Sequence, residues 1–158
     1  MFTRSLMNLA LIILLLCAGC GGGGGDASSS GTFSFKVVSQ AATPGLKIYA
    51  VQFEVALPAG VTLKALSDGT LEVSALAPAA AADGPHALLE SNYLPGAVPA
   101  TVLVALINSD GFPAGEVVTI NGTASGSVDP SQVILTDFKA YDQNAGEIAA
   151  VTGTISTP

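Results

Sequence analysis

The chain has 158 residues, with five Lys and Arg against twelve Asp and Glu, a formal net charge of −7. That balance excludes a basic nucleic-acid footprint, and 49% hydrophobic with only 11% charged residues excludes wholesale disorder. Both Cys lie within the first twenty residues, so the remainder holds neither a disulfide nor a thiol metal site.

The first segment reads as an address. Arg4 precedes an unbroken apolar run from Leu9 to Leu16, and Cys17-Ala18-Gly19-Cys20 follows. A basic start, a short apolar core and small residues before a cut form a secretory signal. The core is too short for an ordinary spanning helix, which needs about 20 apolar residues. The Leu-x-Ala-Gly-Cys ending resembles the bacterial lipobox, with Cys17 standing where that box usually has Leu. The resemblance implies removal of residues 1–19 and lipidation of Cys20. It makes the protein a lipoprotein of the bacterial cell envelope, attached to the membrane through its N-terminal lipid. Gly21, where Asp would retain it, points to the outer membrane. Residues 20–30 hold the lipidated Cys and a Gly/Ser linker. Ten such residues span roughly 16–19 Å.

From Gly31 the pattern turns to period two. Phe33, Phe35 and Val37 alternate with polar neighbours, as do Val51, Phe53, Val55 and Leu57. Alternation at this period predicts half-buried strands. Short strands are expected at Val61–Leu66 and Thr70–Val73, split by Ser67-Asp68-Gly69. The Ala-rich stretch Ser74–Pro85 reads as an irregular excursion. Thr101–Asn108 is apolar at nearly every position, as in a strand covered on both faces. Further strands are expected in Glu116–Ser125, in Val133–Tyr141 with Ile134, Phe138 and Ala140 on one face, and in Ile148–Ile155. Gly, Pro, Asn and Asp punctuate these runs. Many short strands so separated predict one all-β sandwich or barrel over residues 31–158. Its expected core is Phe33, Phe35, Val51, Phe53, Val55, Val104, Leu106, Ile120, Ile134 and Phe138.

The order of segments resembles the cohesin-type domain. Lys47–Val61 (KIYAVQFEVALPAGV) is similar to its second strand and proline corner. Val102–Gly115 (VLVALINSDGFPAG) resembles a later strand and turn. Val133–Ile148 (VILTDFKAYDQNAGEI) resembles the penultimate strand and hairpin. The resemblance implies an antiparallel jelly-roll β-sandwich of about nine strands, shared with a superfamily of carbohydrate-binding modules. It also implies docking of a dockerin-like or other envelope protein on one sheet face. That face would be built from Thr62–Leu66, Leu88–Tyr93, Thr101–Ile107 and Val133–Tyr141. Its outward candidates are Lys64, Glu90, Asn92, Thr101, Asp137, Lys139 and Tyr141.

Signals for catalysis are sparse. His86 is the only His, in a loop between Gly84-Pro85 and Ala87, and there is no Gly-x-Ser-x-Gly elbow or Gly-x-x-x-x-Gly-Lys loop. No enzyme activity and no cofactor are expected. Asp142 and Asn144 offer oxygens at alternate positions, as a calcium loop does, but the spacing of Gly146 fits a hairpin turn better. Polysaccharide is the alternative partner, with Tyr49, Tyr93 and Tyr141 as rings that could stack on sugars, and a structural envelope lipoprotein without a soluble ligand is the other alternative.

Overall fold

A computed structural model describes residues 30–157. The signal, Cys20 and the Gly21–Gly25 run lie outside the described residues. The described chain is all-β, with nine strands and no α-helix. In chain order they are β1 (Ser30–Ala41), β2 (Lys47–Ala56), β3 (Val61–Thr62), β4 (Leu76–Pro78), β5 (Ala87–Leu94), β6 (Thr101–Pro113), β7 (Glu116–Ser125), β8 (Ile134–Tyr141) and β9 (Val151–Ser156). A single 3₁₀ turn, Pro130–Gln132, precedes β8.

Two antiparallel sheets face each other. The first runs β3-β7-β1-β9, with β4 also on the outer edge of β7, and the second runs β5-β6-β2-β8. Period-two alternation in β1 and β2 turns Phe33, Phe35 and Val37 toward Val51, Phe53 and Val55, all buried. Val104, Leu106, Phe112, Val118 and Ile120 complete the shared core. The described residues build one continuous core between the two sheets. Two glycines permit close approaches inside it. A Cβ on Gly122 would come within 2.6 Å of Leu63 and 2.7 Å of the Thr62 carbonyl. A Cβ on Gly153 would overlap the Phe138 ring, which closes the side of the sandwich where β8 meets β9.

Four expectations are corrected. The strand expected at Val61–Leu66 ends at Thr62, and Thr70–Val73 forms no strand. Between them Asp68 accepts a hydrogen bond from the Thr70 N–H and Gly69 N–H donates to the Leu66 carbonyl, folding a tight turn held by one Ala65–Leu71 bridge. The Ala-rich excursion contributes β4, an edge strand where Pro78 costs no ladder bond to a further neighbour. Ile134 is exposed and Phe138 only partly buried, because a bulge inverts the facing of β8 midway. Glu54 pairs with Thr136 but Gln52 with Lys139, leaving Asp137 and Phe138 opposite the single residue Phe53. Asp137 takes up the extra length at φ 50, the left-handed region that Asp tolerates better than most residues. Leu135 therefore faces the core with Val55, and Ile134 faces outward with Ala56.

Candidate functional site

The outer face of sheet β5-β6-β2-β8 is the most distinctive surface. Strand registers place its side chains in four rows. Leu94, Thr101, Ala56 and Ile134 form the first row, and Asn92, Leu103, Glu54 and Thr136 the second. Glu90, Ala105, Gln52 and Lys139 form the third, with the bulged Asp137 beside it. Leu88, Ile107, Ala50 and Tyr141 form the fourth. Leu88 (52% exposed), Leu94 (42%), Leu103 (41%), Ile107 (49%) and Ile134 (56%) all lie here. They are five of the eight large apolar side chains exposed among the described residues.

Polar groups sit at the centre of this apolar frame. A shallow depression of ≈ 590 Å³ is lined by Gln52, Glu54, Glu90, Asn92, Leu103, Asp137 and Lys139. The bulge matters here, because strict alternation could not turn both Thr136 and Lys139 to the outer face, where they pair with Glu54 and Gln52. Among the described residues the ion pairs are Lys36–Glu116 at 2.7 Å and His86–Asp110 at 3.0 Å, and neither belongs to these rows. Lys139 thus stands against Glu54, Glu90 and Asp137 without an ion pair of its own, and the depression carries an excess of negative charge. A second depression of ≈ 590 Å³ adjoins the fourth row. Tyr49 and Tyr141 line it together with Gln52, Ile107, Asn108 and Gln143.

The expected face is met in part. Leu88–Tyr93, Thr101–Ile107 and Val133–Tyr141 do share one sheet, and Glu90, Asn92, Asp137, Lys139 and Tyr141 belong to one surface. The fourth strand of that sheet is β2 and not Thr62–Leu66. Lys64 belongs to the edge of the other sheet, beside Thr62, Asn121 and Thr123. Thr101 has the outward register but is buried, 8% exposed, with its hydroxyl donating to the Pro99 carbonyl. Tyr93 faces the core and offers no ring to a ligand.

The remaining candidates resolve locally. Asp142 Oδ1 accepts the N–H groups of Asn144 and Gly146, each at 2.8 Å, and Asp142 N–H donates to the Gly146 carbonyl. The Asp142–Asn144 segment is therefore a self-bonded turn, and no cluster of three or more His, Cys, Asp or Glu with metal-binding geometry occurs among the described residues. His86 Nδ1 contacts Asp110 Oδ2 at 3.0 Å, with both side chains more than half exposed. No serine hydroxyl is bonded to that ring among the described residues.

The apolar members of the face, Leu88, Leu103, Ile107 and Ile134, were not among the expected site residues, and neither were Gln52 and Glu54. The signal was present in β6, apolar at both parities. That pattern reads as a strand buried on two sides, yet Leu103 and Ile107 have nothing over them. Comparison with protein-family models, with curated proteins and with solved structures finds no match for this chain.

Proposed function

We propose that this protein is a lipid-anchored, non-enzymatic recognition module of the bacterial envelope, docking another protein on the outer face of sheet β5-β6-β2-β8. One observation carries the reading. β6 is apolar on both sides, and its outward residues Leu103 and Ile107 are uncovered in the centre of a four-stranded sheet. Exposed large apolar side chains gathered on one face mark interaction sites, and here they frame a polar depression. The anchor follows from the sequence around Cys20, and the mode of docking from the cohesin-like order of segments. The acidic excess at the central depression favours a partner patch of Lys or Arg.

The test uses the domain from Gly31 to Pro158 as bait on envelope extract. Wild-type bait should retain a defined protein, and Leu103→Asp or Glu90→Lys bait should not, with thermal midpoints unchanged because these side chains are exposed. Equal capture by wild type and Leu103→Asp would overturn the assignment of the face. Intact-mass analysis of membrane-extracted protein checks the anchor: the chain should begin at Cys20 and carry acyl chains. A second reading rests on Tyr49 and Tyr141, which share one depression with amide side chains as a saccharide site would require. A glycan array that lights up while the bait captures no protein would favour it.

A further inference from the structure

We infer that the β5–β6 loop, Leu94–Ala100, is a membrane-contacting tip that inserts among lipids beside the anchor. This rests on the reading of Cys20 as the lipidated residue. The loop shares an end of the sandwich with the start of β1. The Ala100 carbonyl accepts the Leu57 N–H at the close of β2. The turn that follows β2 reaches Gly60, whose carbonyl accepts the Ser125 N–H, and Ser125 is the register partner of Ser30. The chain therefore leaves toward Cys20 from the end that carries this loop.

The chemistry of that end suits lipid. Val98 is 99% exposed, Pro95 and Pro99 are exposed beside it, and Leu94 and Ile134 continue the apolar rim across the first row of the sheet. The turns at this end, 57–60, 95–100 and 126–133, hold a single ionisable side chain, Asp129. Its carboxylate is engaged by the Ser131 N–H. The opposite end carries Asp83, His86, Asp110, Asp142 and Glu147. An acidic molecule beside an anionic leaflet is turned with most of its acids outward, which presents this charge-poor end, with Asp129 and the nearby Asp68 as its acids, to the membrane. The tether makes the encounter intramolecular, so weak insertion suffices. Each buried methylene multiplies the partition constant by about fourfold.

The chain contains no Trp, and Cys20 is the sole thiol of residues 20–158. Protein comprising residues 20–158 is coupled through that thiol to a maleimide lipid in phosphatidylethanolamine–phosphatidylglycerol vesicles. One variant carries Val98→Trp and another Val73→Trp, an equally open position (86% exposed) on the turn before β4. Neither substitution touches the core. Emission from position 98 should shift to shorter wavelength on coupling and be quenched by brominated acyl chains. Emission from position 73 should do neither. Equal behaviour at the two positions overturns the proposal. So does a blue shift at position 98 that brominated lipid fails to quench, since a second protein copy then covers the loop. The coupling supplies the anchor chemically, which separates the two failures. Lipidated Cys20 in the cell with a water-exposed probe at position 98 overturns insertion alone, whereas unlipidated Cys20 overturns the anchor and with it this orientation.

Discussion

Phe53 stands at the point where the core meets the outer depression of sheet β5-β6-β2-β8. Its ring is 3% exposed and stacks on Phe138 with centroids 6.1 Å apart and planes at 16°. Phe53→Ala should cost about 3–5 kcal/mol in urea unfolding, since the bulged backbone of β8 cannot collapse freely into the space. Charge at single residues acts in the opposite, pH-dependent way. The Lys36 ammonium donates to Glu116 and holds that carboxyl below its ordinary range. Asp68 and Asp129 are lowered likewise by hydrogen bonds from Thr70 and Ser131. A depressed folded-state value means that the stabilisation is present above the ordinary carboxylate range and is lost as pH falls through the folded value. Lys36→Met should therefore lower stability at pH 7, by less than about 1 kcal/mol for so open a pair. The difference from wild type should shrink toward zero once Glu116 is protonated in both states, which a pH series of melts would read.

The bulge in β8 does for an element what no single side chain could. It turns Ile134 outward, Leu135 inward and Asp137 toward the central depression, at the cost of a left-handed residue without glycine. Asp137→Gly should leave stability equal or slightly raised while removing a carboxylate from the face. Asp137→Val should lose about 1–2 kcal/mol. Urea midpoints of the two variants separate backbone strain from the role of the charge. The same bulge explains what was readable in the sequence. Period two in β1 and β2 placed five of the ten expected core residues, Phe33, Phe35, Val51, Phe53 and Val55, because those strands run without a facing change there, and Val104, Leu106 and Ile120 of β6 and β7 are buried as well. Ile134 and Phe138 failed because nothing in Leu-Thr-Asp-Phe-Lys announces where the parity breaks. β5 was reached only through the family resemblance, since Leu88 and Leu94 share the outward side with Glu90 and Asn92 and blur the alternation. The polar half of the candidate face was legible by the same route. Its apolar half was hidden, because a strand apolar on both sides looks the same whether its outer side is covered or waiting for a partner.

For the molecule as a whole, the charge-poor rim at one end, most of the acids at the other and the apolar sheet face at the flank divide the surface into three directions. A tip resting on lipid would hold that face sideways to the membrane, open to a partner approaching along the surface. The position of β1 then acquires a mechanical meaning. β1 is the first strand of the described chain, and it is not an edge strand. β7 registers with it from Ser30 to Val38 and β9 from Lys36 to Ala41. Were the chain held at its N-terminus and a partner gripped on the opposite sheet, a tug between them would be directed along β1. Inter-strand hydrogen bonds lie across that direction, so they share the load in shear and cannot be peeled off one at a time. Resistance to forced unfolding is a matter of rate, and a strand clasped on both flanks makes that rate slow in the one direction in which a tethered protein is pulled.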